Sequence, residues 1–186
     1  MILTGSEISK EVERGGIVID PFEPSQLNPN SYNYRLGGLL KVPLTRVHGP
    51  DAPGQWRTIR LPADGYVLKP SVVHLGHTFE RIGSSTFVTS LIGRSSLGRL
   101  GLFLQLAADL GQLGLVHRWT LEMVAIQPIR VYPGMRIGQV SFWKPEGGIT
   151  DYNGNYLGTD LPTPSRPWSV SNVADAADAD RVGTKQ

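Results

Sequence analysis

The sequence contains no cysteine. That excludes a disulfide scaffold, a thiolate nucleophile and cysteine-ligated zinc. Strong charge bias is also missing: 18 Lys and Arg against 16 Asp and Glu leave a formal net charge of +2. That is too little for a general nucleic-acid footprint, although a local arginine cluster can still serve a small polyanion. No apolar run approaches the roughly 18 residues of a membrane span. The opening MILTGSEISK lacks the basic start and apolar stretch of a signal peptide, so a cytoplasmic location away from membranes is expected.

Turn chemistry is abundant. The 186 residues include 22 Gly and 14 Pro, which favour many short strands over long helices in a single domain. A short helix is expected over 4–14, with Thr4 and Glu7 as a capping box, Ile8 and Val12 on one face and Gly15 as the stop. Strand signals follow at 17–19, 31–36, 58–61, 65–68, 72–75, 86–91, 119–125, 129–131 and 138–142. Pro and Gly separate most of them, and the spacing suits a sandwich or a jelly-roll-like barrel. Residues 43–57 read as a surface loop, and 94–102 as a helical turn capped by Ser95 or Ser96. The domain is expected to span 1–168, with a polar arm from about 147. The stretch 169–186 has little to bury and reads as a disordered tail.

Two segments carry most of the chemistry. Gly93-Arg94-Ser95-Ser96-Leu97-Gly98-Arg99 packs two arginines and two hydroxyls beside glycines that let backbone N–H groups approach a phosphate. A solvated turn with a helix cap accounts for the same residues. In Trp119–Ala125, Glu122 stands inside an apolar strand, sharing a face with Thr120 and Val124 and opposite Leu121 and Met123. Such a carboxylate is a paired structural ion, a solvent-facing edge residue, or a working acid/base whose pKa desolvation raises. The run 132–139 with its Pro133-Gly134 reads as a hairpin, and 151–166 as either a surface loop or an arm that closes over a ligand. His74-x-x-His77 is a weak metal signal without an acidic third ligand. His117-Arg118 reads as surface, with a phosphate contact as the alternative. Trp56, Trp143 and Trp168 read as packing or arm residues.

GRSSLGRLGL at 93–102, TLEMV at 120–124, PGMRIGQVSF at 133–142 and NYLGTDLPTPSR at 155–166, in that order, resemble the dCTP deaminase branch of the dUTPase-like superfamily. GGIVIDP at 15–21 and SYNYRLG at 31–37 agree with it. The resemblance implies a mainly β, distorted jelly-roll or β-barrel fold and a homotrimer with active sites between subunits. It implies zinc-independent hydrolytic deamination of a cytosine nucleotide, dCTP to dUTP and ammonia. Glu122 matches the general base, Ser95 the serine that helps hold the nucleophilic water, and Arg99 the arginine that supports the site. Arg94 and Ser96 lie where the phosphates are gripped. Gln139 falls in the strand after the Pro-Gly turn, Tyr156 begins the closing arm, and main-chain groups near Ala107 and Ala108 read the cytosine edge. Magnesium enters on the nucleotide phosphates, with no metal held by the protein.

The sequence departs from the family before Glu122. Gln112 stands where members carry an aspartate that meets the sugar 3′-hydroxyl, Leu115 where they carry an aromatic and Leu110 where they carry an arginine, while Gly114 is kept. An amide cannot act as a base, which argues against dUTPase-type pyrophosphatase activity. An offset alignment would bring Asp109 near the sugar instead. Asn155 and Thr159 replace a usual lysine and glutamine in the arm. Deamination of dCMP, CMP, CTP or a 5-modified nucleotide, and non-catalytic nucleotide sensing, stay open beside the leading reading.

Overall fold

The computed structural model describes residues 1–49, 52–105, 107–150 and 152–167. Helix α1 (Gly5–Arg14) leads into β1 (Val18–Asp20), β2 (Leu27–Asn28), β3 (Ser31–Arg35), β4 (Leu39–Pro43) and β5 (Trp56–Arg60). Next come β6 (Tyr66–Leu68), β7 (Val73–His77), β8 (Arg81–Gly83), β9 (Val88–Gly93) and the single turn α2 (Ser95–Gly98). Strands β10 (Leu102–Leu104), β11 (Val116–His117), β12 (Thr120–Ala125), β13 (Ile129–Val131) and β14 (Arg136–Trp143) complete the order. The fold is mainly β, as the turn-rich composition predicts.

Two larger sheets organise the chain: β10-β12-β7-β4-β5 and β2-β3-β14-β9. A three-stranded sheet, β1-β8-β11, and the β13-β6 pair complete them, with antiparallel ladders throughout. Their inward faces share one core. Tyr32, Tyr34, Leu121, Met123, Val140 and Phe142 are fully buried in it. Each large apolar side chain so buried contributes about 1.5–3 kcal/mol.

Helix α1 begins after Thr4 and ends at Gly15, whose φ of 78° supplies the left-handed cap. The expected capping box does not form. Thr4 makes no cap hydrogen bond, Gly5 N–H donates to the Pro29 carbonyl at 2.8 Å, and Glu7 pairs with Lys10 at 3.1 Å. The Thr4 hydroxyl bonds the Ser6 hydroxyl at 3.1 Å instead of a backbone N–H. Ser95 and Ser96 do not cap α2 either: Arg94 occupies the cap position without a side-chain bond.

Strands β2, β4, β8, β10 and β11 gave no sequence signal of their own. They are two to five residues long, and each is fixed by its pairing with strands distant or adjacent in the sheet. Residues 44–55 connect β4 to β5, so the expected surface loop is the connection of a hairpin.

Glu80 is fully buried, with one carboxylate oxygen 2.7 Å from Arg35 Nε and the other accepting from Arg35 N–H at 2.9 Å. The arm docks on the body around β11 and β12. Asp160 pairs with Arg81 at 2.7 Å and accepts from Arg118 N–H at 3.0 Å, while Thr163 N–H donates to Thr120 Oγ1 at 3.0 Å. Trp168 and the expected tail at 169–186 lie outside the described residues.

Candidate active site

Strand β12 alternates as the sequence predicts. Leu121, Met123 and Ala125 face the core, while Thr120, Glu122 and Val124 are half-buried on the other face and line a cleft of about 1480 Å³. Glu122 is the only carboxylate among the described residues lining that cleft. Burial pushes its carboxyl above the ordinary glutamate value, with no neighbouring charge contributing. Among the described residues nothing hydrogen-bonds or ion-pairs its carboxylate oxygens; only its main-chain N–H is held, donating to Gln105 Oε1 at 2.8 Å. A half-desolvated carboxylate with free lone pairs at a cleft wall can take a proton from water.

Four other expected residues line the same cleft: Ala107, Ala108, Gln112 and Tyr156. Gln112 is exposed there. Asp109 does not line the cleft; its carboxylate accepts from Ser90 Oγ at 3.2 Å.

The serine–arginine turn sits elsewhere on the chain. Arg94, Ser95 and Gln139 line a second, smaller cleft of about 350 Å³ with Gly93 and Phe103. Ser96 and Arg99 are exposed and line neither cleft. Gln139 is tied to β2 and β3, its Oε1 accepting from Ser31 Oγ at 2.8 Å. A single chain therefore carries two part-sites: Glu122 with the 107–112 wall, and the turn at 94–99.

One residue bears on the site without having been singled out. Gln105 is buried and touches the Glu122 backbone, but its φ of 51° follows from the tertiary path and has no sequence signal. His117 is buried rather than exposed, correcting its surface reading. Its Nδ1 donates to the Thr159 carbonyl at 3.0 Å, its ring packs edge-on to Trp119, and burial pushes its pKa down. Thr159, where a glutamine is usual, thus anchors the arm.

His74 and His77 cannot share a metal, because residues three apart on a strand point to opposite faces. Nδ1 of His74 bonds the Val72 carbonyl at 3.0 Å, while His77 uses Nδ1 for the Thr78 carbonyl and accepts from Leu39 N–H at Nε2. No group of three potential metal-ligating side chains occurs among the described residues. Trp56 lines the large cleft, whereas Trp143 is exposed at the end of β14.

The described residues form a mainly antiparallel β domain with one half-buried carboxylate on the wall of a broad cleft. The chain belongs to the dCTP deaminase-like family, whose model matches residues 2–145. It is 42% identical over 147 residues to a dCTP deaminase of Rhodopirellula baltica, covering 79% of this chain and 74% of that one. It is 41% identical over 157 residues to a "dCTP deaminase, dUMP-forming" of Hathewaya histolytica, covering 84% and 91% respectively. The fold is shared with the crystal structure of 2′-deoxycytidine 5′-triphosphate deaminase from Agrobacterium tumefaciens, at a TM-score of 0.60 and 23% identity. The match covers 76% of this chain and spans about half of that longer one, 47%.

Proposed function

We propose that this chain hydrolyses the exocyclic amine of a cytosine nucleotide, dCTP first among them, to the uracil nucleotide and ammonia. One observation carries this reading: the desolvated Glu122 carboxylate faces a ligand-sized cleft with no structural partner for its oxygens among the described residues. Water adds to C4 as Glu122 takes its proton. The same carboxyl returns the proton to the ring or to the amine, and the C4–N bond breaks to release ammonia. A base so placed is worth about 10²–10⁴-fold in rate.

Ser95 and Arg99 orient the water and stabilise developing charge, and Arg94 and Ser96 grip phosphates, in this reading. They reach Glu122 from a second copy of the chain, in a homotrimer with sites between copies. Two features support that arrangement. The turn and Glu122 line separate clefts in one chain, and exposed Ile92, Leu100, Phe103 and Ile126 lie in the segments flanking the turn, as an interface requires. Magnesium belongs to this reading as the counter-ion of the nucleotide phosphates. Among the described residues the cleft's donor set, with one carboxylate, fits an ion carried by the substrate better than an all-protein cage.

The dUMP-forming names among the relatives raise a second reaction, cleavage of the phosphate chain. The amide at Gln112, where an acid would be needed as a second base, favours deamination alone. The test is ammonia and diphosphate release across dCTP, dCMP, CTP, CMP and 5-substituted analogues. Ammonia without diphosphate is the expected result, with dCTP the fastest. Diphosphate from dUTP supports the hydrolase reading, and binding without turnover the sensing module.

A further inference from the structure

We infer that Gln105 is a positioning residue, whose side-chain amide locks the Glu122 main chain and the 107–108 wall of the cleft into one geometry. The inference rests on the proposed role of Glu122 and names a residue beyond it. The β10–β12 ladder ends at the Leu104–Met123 pair, and one further step would oppose Gln105 to Glu122. The ladder does not take that step in the usual way. Gln105 adopts φ of 51°, in the left-handed region that a non-glycine residue enters at a cost of about 1–3 kcal/mol. The chain thereby leaves the strand and becomes the cleft wall at Ala107 and Ala108.

The side chain then supplies what the backbone has withdrawn. Oε1 accepts from Glu122 N–H at 2.8 Å, and Nε2 donates to the Ala108 carbonyl at 3.3 Å. One amide thus spans the strand that carries the base and the segment that faces the substrate. It is 9% exposed, so either end left unbonded is a buried loss. Among the described residues Glu122 has no bond at its own oxygens, and its aim depends on its backbone. A change of about 1 Å in a reacting group can cost on the order of 10²-fold in rate.

The test compares the wild-type chain with Gln105→Met, which keeps the volume but removes both bonds, and Gln105→Glu, whose carboxyl still accepts from Glu122 N–H. Turnover of dCTP, nucleotide affinity by calorimetry, melting temperature and the Glu122 carboxyl titration by ¹³C NMR are measured on each. In Gln105→Met, kcat is expected to fall at least about tenfold with KM within about threefold. Gln105→Glu recovers part of that loss, because it keeps the acceptor for Glu122 N–H and loses the donor to the Ala108 carbonyl. A Met variant within about twofold of wild-type kcat overturns the inference. So does a Met variant that loses kcat, nucleotide affinity and melting temperature together, or a Glu variant no better than Met. If the wild type turns over no cytosine nucleotide, the proposed function fails separately. The NMR titration then decides: a Glu122 curve displaced in Gln105→Met upholds the inference, and an unchanged curve overturns it.

Discussion

Two glutamates in this chain are withdrawn from water, and they are treated in opposite ways. Glu80 is fully buried and fully partnered, by Arg35 Nε, by Arg35 N–H and, more loosely, by the Gln26 amide at 3.4 Å. Glu122 is only half-buried, yet its carboxylate has no partner among the described residues. Burial with partners makes a structural ion; partial burial without them makes a group that gains from a proton or a ligand. Degree of burial alone would rank the two glutamates the wrong way round for chemistry.

The contrast is broken or sharpened most strongly by Glu122→Gln. Its deamination rate is expected to fall about 10²–10⁴-fold, measured as ammonia release, with the β fold intact by circular dichroism. The pH dependence has a definite sign. The folded-state pKa is raised by desolvation, so kcat/KM falls on acidification at a pH above the ordinary carboxylate range. Stability moves the other way: the contribution from Glu122 is present below the unfolded pKa and lost as pH rises through the folded one. Glu122→Gln should therefore melt no lower than wild type at neutral pH.

At Glu80 the opposite is expected. Glu80→Gln leaves the Arg35 guanidinium without its anion, and breaking a buried pair costs about 3–5 kcal/mol. Denaturant titration reads this directly. A neutral result would mean that the pair is a tolerated ornament of the fold and would remove the contrast.

A third measurement asks whether the two part-sites come from different copies. Glu122→Gln and Arg99→Ala, each inactive alone, are refolded together. Random assembly of a cyclic trimer restores about a quarter of the wild-type sites, because one intact copy of each residue is needed per site. No recovery means that the two residues act within one chain.

The smallest effect is expected at the arm. Asp160→Asn weakens the Arg81 pair, which is partly exposed on both sides and worth about 0–1 kcal/mol. The melting temperature should barely move, while KM for the nucleotide rises severalfold if Tyr156 closes on the ligand from the docked arm.

Much of this was legible beforehand. The β12 alternation puts Glu122 opposite Leu121 and Met123 whatever strand lies beside it, since the strand period is two. Strands whose apolar residues are interleaved with polar ones after a turn signal, such as β13 and β14, are also readable. The Thr4–Glu7 spacing does not make a capping box because both side chains find other partners, the Ser6 hydroxyl and the Lys10 ammonium. His117 looked exposed because nothing near it in sequence announces that Thr159, 42 residues away, would cover it. Gln105 was invisible because a left-handed glutamine has no compositional trace.

The linear chain by itself settled the periodicities: which side chains share a face, where glycine and proline permit turns, and that no thiolate is present to hold a metal. Those follow from covalent geometry and residue chemistry, which act over a few positions. Only the tertiary structure decided which glutamate is paired, which glutamine stands in for a lost ladder bond, and that the serine–arginine turn and Glu122 face different clefts. Desolvation and hydrogen-bond partnership depend on residues dozens of positions apart, and they exist only once the sheets have packed.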